Sequence, residues 1–219
     1  SRTGGRLVYM RRRLDTDVAI IGGGGAGVAA ALEAGEAGAG VVVLEQDDRL
    51  GGTAATSGGG CFIVGSPLQE AQGIHDTPDL AFEDWVRWGQ GAADEVWARY
   101  YIEHSLHDLY FWAEKHGARW MDLKFQEGNR VHRWHRPAGN GLGLMTALIG
   151  ALAARGGATV LTGARAEALL TEGGRVCGVR AVHAESGDTV EVRSRAVVVT
   201  TGGFNSNLDM VLEARPELK

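Results

Sequence analysis

Residues 17–60 read DVAIIGGGGAGVAAALEAGEAGAGVVVLEQDDRLGGTAATSGGG, and the fold turns on them. Val18-Ala19-Ile20-Ile21 is an apolar, β-branched run, short enough for a buried strand. Gly22-x-Gly24-x-x-Gly27 follows at once, and Val28-Ala29-Ala30-Ala31-Leu32 opens a helix. A second apolar run, Val41-Val42-Val43-Leu44, ends on Glu45. Strand, glycine turn, helix, strand and acid, in that order, predict a βαβ unit that binds a dinucleotide.

Each piece has a physical reason. Gly22 makes the tight turn out of the strand, Gly24 lets the backbone approach a pyrophosphate, and Gly27 lets helix and strand pack closely. The helix start at Gly25-Ala26 aims its unpaired N–H groups at the phosphates, worth up to about 2 kcal/mol to a partly buried anion. Glu45, with Gln46 beside it, is placed to accept hydrogen bonds from ribose hydroxyls. Its charge disfavours a 2′-phosphate: two like charges about 4 Å apart repel by roughly 4 kcal/mol at an effective dielectric of about 20. That excludes NADP and leaves FAD or NAD.

Leu50-Gly51-Gly52-Thr53-Ala54-Ala55-Thr56-Ser57-Gly58-Gly59-Gly60 is a second glycine-rich loop directly after the acid. At Gly51, Gly52, Thr53, Ser57, Gly58 and Gly59 the chain resembles the FAD-dependent fumarate reductase and 3-ketosteroid dehydrogenase family. In that family a GG[ST]xxxSGG loop runs along the pyrophosphate and ribityl chain to the flavin ring. The resemblance implies FAD as the cofactor, with these six residues and Ala54 in contact with it. Membrane-bound respiratory succinate dehydrogenases carry a flavin-tethering histidine where this chain has Gly52, so a non-covalent FAD is implied. Ala166 falls where the family's backbone touches the adenine, and Thr201-Gly202-Gly203-Phe204 matches a turn that passes close to the cofactor. His135-Arg136-Pro137-Ala138-Gly139 matches the family's HRPxG segment ahead of a helix. The resemblance covers residues 17–211, the first half of the family pattern. It implies that the capping domain and its acid/base residues are absent from this chain.

The predicted class is therefore α/β. A Rossmann-like FAD-binding domain, with a parallel sheet and a β-meander insert, is expected over residues 17–65 and 137–219. A helical, tryptophan-rich insertion is expected over 66–136, and 1–16 read as a basic N-terminal tail. Within the insertion, 66–76 look loop-like, and Thr77-Pro78 caps and starts a helix. Helical periodicity covers about 80–89, 92–104 and 106–116, with Gly117 as the stop. All six tryptophans lie between Trp85 and Trp134; at helical spacing they read as subdomain core before they read as an aromatic wall over a ligand. A helix over about 142–155 leads to the strand Ala158–Leu161. Leu169–Thr171 and Val176–Arg180 pair across Glu172-Gly173-Gly174, with a third strand near Thr189–Val192. Ala196–Thr200 is a further buried strand.

A chain of 219 residues supports one sizeable core and part of a second domain. A net charge of −5 argues against a nucleic-acid partner. Cys61 and Cys177 stand far apart in no metal spacing and read as reduced thiols. His104-x-x-His107 and His132-x-x-His135 lack a neighbouring acid in a zinc pattern, so no metal is expected. No apolar run approaches the roughly 20 residues that span a bilayer, so membrane insertion is not expected and the chain reads as cytoplasmic.

The resemblance implies an oxidoreductase acting on a small-molecule substrate. Hydride would pass between flavin N5 and a carbon–carbon bond next to a carbonyl or carboxylate. His135 and Arg136 are candidates for an accessory catalytic role, against the plainer reading that they brace the loop before the helix. Two other functions compete: an isolated FAD-binding module without catalysis of its own, and an NAD-dependent dehydrogenase, against which the second glycine loop argues.

Overall fold

The computed structural model describes residues 11–218. Strand β1 (Arg11–Ile21) leads into helix α1 (Gly25–Glu36), β2 (Val41–Leu44), the short α2 (Gly52–Thr56) and β3 (Cys61–Phe62). Next come α3 (Pro67–Ala71), α4 (Pro78–Gly89) and α5 (Glu95–His104), which passes through a π-helical stretch, Ser105–Phe111, into α6 (Trp112–Lys115). Strands β4 (Trp120–Lys124) and β5 (Trp134–Pro137) precede the long α7 (Asn140–Arg155). The remainder is β6 (Ala158–Leu161), β7 (Ala164–Glu172), β8 (Arg175–His183), β9 (Thr189–Val199) and α8 (Leu208–Ala214), closed by a 3₁₀ turn at Pro216–Leu218. Two compact units divide these elements: residues 11–50 with 157–218, and Gly51–Gly156.

The first unit is built on a six-stranded sheet in the order β6-β2-β1-β9-β8-β7. β6, β2, β1 and β9 run parallel, while β8 and β7 return antiparallel as the expected meander. Val41–Leu44 is buried along its whole length, as a strand in the middle of a parallel sheet must be. Helix α1 packs against β1 and β2 through Gly27, Val28, Ala31 and Leu32. Fully burying a valine or leucine is worth about 1.5–3 kcal/mol each, enough to dock a helix whose sequence is otherwise small and weakly amphipathic.

Two strands are longer than the sequence pattern suggests. Residues 11–16, expected in a tail, form the first half of β1; the rest of that stretch, 1–10, lies outside the described residues. The segments read as two strands, Thr189–Val192 and Ala196–Thr200, are one strand, β9, paired with β1 from end to end. Arg13 stands opposite Glu191 and Asp15 opposite Arg193 in the register, although Arg13 forms its ion pair with Asp15 along β1 and Arg193 with Glu172 of β7; Leu14, opposite Val192, packs on the core.

The second unit holds the helices and a small antiparallel sheet, β3-β5-β4. The Trp-rich insertion thus carries two strands of its own, β4 and β5, where helices alone were expected. Residues 67–71, read as loop, form α3. Ser66 caps it by accepting from the Gln69 N–H, and Gln69 Oε1 accepts from the Ser66 N–H at 3.0 Å, a reciprocal capping box. The Thr77-Pro78 start of α4 is as expected.

The tryptophans divide by role. Trp85 meets Phe62 edge-on at 5.0 Å, and Trp120 stacks on Tyr110 at 5.5 Å, both in the core of this unit. Trp88 and Trp97 are more than half exposed.

Deeper in the unit sits a polar knot that the sequence did not announce. Arg133 is fully buried and forks onto Asp76 with two bonds of 2.8 Å, while its third nitrogen reaches Asp84 at 2.6 Å. Asp84 also receives Arg130 and Arg87. Burial alone would raise the Asp84 carboxyl; the Arg130 backbone N–H and the Arg133 and Arg130 guanidiniums outweigh it and hold it below the usual range.

Candidate cofactor site

The first unit carries a glycine turn at the carboxyl ends of β1 and β2, where a doubly wound sheet binds its ligand. Gly22 adopts φ 101°, and a Cβ there would lie 2.5 Å from the Thr200 carbonyl oxygen. A Cβ on Gly27 would lie 1.8 Å from the Gly22 carbonyl oxygen, so α1 can approach the strand only with hydrogen at that position. Gly24 differs from both. It lies in ordinary extended backbone as the N-cap of α1, and a Cβ there would meet nothing within 4 Å.

No side chain caps α1, and no acid lies in its first turn. Its opening N–H groups, at Gly25, Ala26 and Gly27, are those that any helix start leaves without an intrahelical partner. Gly25 is half-buried and Ala26 exposed. A small, uncapped helix start with its positive dipole end beside open space fits a pyrophosphate.

Glu45 is buried at the end of β2, and its backbone is pinned to Leu161 and Ala164. Its Oε2 accepts from the Gly23 N–H at 2.6 Å, and its Oε1 accepts from the Asp47 N–H at 2.8 Å. A carboxylate has roughly four acceptor positions, so about two are left unfilled by these contacts. Gly23, overlooked in the sequence pattern, is where the turn is tied to the acid; a Cβ there would strike Leu50. Gln46 next to it is exposed.

Thr200 is the other residue that sequence reasoning missed. Just past β9 its hydroxyl lies 2.9 Å from the carbonyl oxygens of both Ile21 and Gly22 and shares its one proton between them. The residues expected there, Thr201 and Gly202, follow directly and are exposed, and Ala166 is half-buried in β7. A threonine after an apolar strand was visible in the sequence, but its reach to Gly22 needed the β1–β9 register.

The second unit carries the other glycine loop. Gly51 is buried and N-caps α2 with φ 127°; Gly52, Thr53, Ser57 and Gly58 are exposed; Ala54 and Gly59 are half-buried. The Ser57 hydroxyl donates to the Ala54 carbonyl at 2.8 Å and accepts from the Gly59 N–H at 3.1 Å, which folds the loop back on itself. Cys61, just after the loop, is half-buried, and burial pushes its thiol up to about 11, so it stays protonated at neutral pH.

His135 and Arg136 are both engaged within this unit. His135 is fully buried: its Nδ1 donates to the Arg133 carbonyl at 2.8 Å, so its Nε2 accepts from the Ser66 hydroxyl at 2.6 Å. Burial lowers its pKa, which keeps the ring neutral. Arg136 forks onto Asp122 at 2.9 and 2.7 Å, and that hydrogen-bonded pair holds the Asp122 carboxyl below its usual range. The histidine pairs are likewise separated in role: His104 stacks on Tyr100, His107 lies against Phe111, and His132 meets Phe125. Both cysteines are free thiols.

Residues 17–219 match the FAD binding domain family, and the chain belongs to it. It is 32% identical over 205 residues to the NADH:fumarate oxidoreductase of Klebsiella pneumoniae, covering 92% of this chain and 22% of that enzyme. The open conformation of a flavocytochrome c3 fumarate reductase superposes with a TM-score of 0.87 at 31% identity, over 94% of this chain and 37% of the other. A 3-ketosteroid-Δ4-(5α)-dehydrogenase from Rhodococcus jostii, solved with 4-androstene-3,17-dione, gives 0.81 at 30% identity, over 97% of this chain and 50% of the other. The chain thus spans half or less of each of these relatives. FAD is the cofactor of this family of oxidoreductases, of the fumarate reductase and ketosteroid dehydrogenase type. Among the described residues no helix is long and apolar enough to cross a membrane.

Proposed function

We propose that this chain holds a non-covalent FAD for an enzyme that oxidises or reduces a carbon–carbon bond next to a carbonyl or carboxylate. The observation that carries the reading is Gly24. Its neighbours Gly22 and Gly27 are glycine because protein atoms leave no room, whereas Gly24 has room around it and sits at the uncapped start of α1, which supports close approach by an external group there. The α1 start would take the pyrophosphate, with Gly25 and Ala26 donating. Glu45 would take the ribose, while Ala166, Thr201 and Gly202 would border the adenylate half. Gly51, Gly52, Thr53, Ala54, Ser57, Gly58 and Gly59 are assigned to the flavin half on their match to the family loop.

When bound, the flavin supplies hydride chemistry at N5; the protein supplies placement and electrostatics. A general acid or base has to reach the substrate's α-proton. His135 and Arg136 are assigned to bracing instead, because both ring nitrogens of His135 are used on Arg133 and Ser66, and Arg136 forks onto Asp122 through Nε and Nη2. That engagement favours a second reading, in which residues 1–219 bind FAD but do not turn over substrate by themselves.

Titration of the purified chain with FAD tests the first statement. Quenching of flavin fluorescence, and release of free flavin on acid precipitation, are expected. Assays with fumarate-type dicarboxylates and with 3-ketosteroids, using a reduced and an oxidised dye, separate turnover from binding. A chain that leaves FAD fluorescence untouched is not the cofactor-holding protein described here.

A further inference from the structure

The glycine loop of the second unit is gripped from outside its own motif, and the geometry points to Trp134 and Gly141 as the positioning residues that set its shape. This inference rests on the FAD reading above and names which residues beyond the motif prepare the loop. β5, with the residue that leads into it, works as a ruler. Arg133 and His135 are fully buried and locked, one by Asp76 and Asp84, the other by Ser66. Strand alternation sends the intervening Trp134 to the opposite face. There its indole fills the place a Gly60 side chain would take: a Cβ on Gly60 would fall 1.7 Å from Trp134 Nε1.

A few residues later the chain passes through two left-handed positions, Gly139 (φ 74°) and Asn140 (φ 57°), into α7. The Gly141 N–H donates to the Ser57 carbonyl at 3.1 Å, so an orphan donor of the helix start is used on the loop. A Cβ on Gly141 would lie 2.1 Å from the Ala54 carbonyl oxygen and 2.6 Å from Ser57 Oγ. From the other side, a Cβ on Gly59, itself at φ 69°, would lie 2.4 Å from the Gly141 nitrogen. Loop and helix start meet backbone to backbone, with no space for one methyl on either. Gly58, in the middle of the same loop, meets nothing within 4 Å, as does Gly150 farther along α7. The tight contacts therefore hold the loop's shape and leave the Gly58 position open.

The test uses the full chain and does not need turnover. In FAD-free protein, Gly141→Ala should speed amide hydrogen exchange across residues 51–61 by about tenfold or more while α4 keeps its protection. Gly150→Ala, on the same helix, should leave that exchange unchanged. Ser57→Ala removes two bonds and adds no atoms; it should move exchange in the same direction, and it becomes the deciding variant if Gly141→Ala fails to fold. With FAD present, Gly141→Ala should weaken binding by about tenfold or more. Trp134→Ala should shift the visible flavin band, with Trp134→Phe restoring most of it. Unchanged loop exchange in both Gly141→Ala and Ser57→Ala overturns the proposal, whether or not FAD binds. Failure of the unaltered chain to bind FAD would instead defeat the cofactor reading and leave the exchange result to stand by itself.

Discussion

The hydroxyl of Thr200 lies 2.9 Å from the carbonyl oxygen of Gly22, joining the end of one central strand to the glycine turn that leaves its neighbour. The same hydroxyl lies 2.9 Å from the Ile21 carbonyl oxygen, sharing its one proton between the two, and the Thr200 N–H donates to Ile21 as well. Thr200→Val keeps the shape and deletes the donor. A loss of about 1 kcal/mol is expected, read as a lower urea midpoint with an unchanged slope. A midpoint equal to that of the parent would show that the hydroxyl adds nothing to the turn.

Gly24 and Gly27 should fail in different ways. Gly27→Ala drives a methyl against the Gly22 backbone and should cost about 1–3 kcal/mol before any cofactor is added. Gly24→Ala enters open space and should stay within about 0.5 kcal/mol of the parent. Its FAD affinity should nevertheless fall by about tenfold or more. Denaturation and flavin titration, run side by side, separate the two; normal FAD binding by Gly24→Ala would remove the pyrophosphate from that corner.

Arg133→Met leaves Asp76 buried without its fork, although Asp84 keeps Arg130 and Arg87. Removing one partner of a buried pair costs about 3–5 kcal/mol, so the second unit should unfold at much lower denaturant. A drop below about 1 kcal/mol would mean that the pair's desolvation had cancelled its attraction.

His135 predicts a pH slope. Burial sets its folded pKa below the ordinary 6.5. As pH falls past that ordinary value the unfolded chain takes up the proton first, so stability is complete above the window and declines as pH drops through it towards the folded value. Denaturation midpoints measured from about pH 7 down to about pH 5.5 should fall, and fall less in His135→Asn, which has nothing to titrate there. An identical slope in both proteins would assign the effect to other groups.

The Arg136–Asp122 fork is partly exposed, with 43% of the arginine side chain in solvent, so its worth is discounted for screening. A double-mutant cycle should give a coupling of about 0.2–1 kcal/mol, and Arg136→Ala should keep its full flavin content. Loss of flavin in parallel with stability would give Arg136 a larger part in shaping the loop than its contacts suggest.

The βαβ core was legible because its signals are local: an apolar run, three glycines at fixed spacing and an acid at the next strand's end. The same holds for the Thr77-Pro78 helix start and the β7–β8 hairpin. The capping box at Ser66 and Gln69 is equally local, but the helix it starts is so short and polar that its composition reads as loop. What stayed hidden depends on distance along the chain. Arg133 finds Asp76 and Asp84 across 57 and 49 residues, and nothing near any of the three marks them as partners. The charged half of β1 looks like a tail until β9 supplies a strand for it to pair with, and Thr200 and Gly141 matter only through neighbours that folding brings to them.

β9 has a consequence for how the molecule comes into being. It sits between β1 and β8, pairing the first described strand with residues 178 positions later, Arg11 with Thr189 and onward to Ile21 with Val199. During synthesis β1 leaves the ribosome long before the segment that will flank it exists. Until then its apolar end, Val18 to Ile21, presents an open edge able to pair with any extended chain nearby. Closure of the sheet waits on one of the most distant contacts in the chain, and such contacts are slow to form. A nascent chain halted before Thr189 is the species for which a cell would need a chaperone.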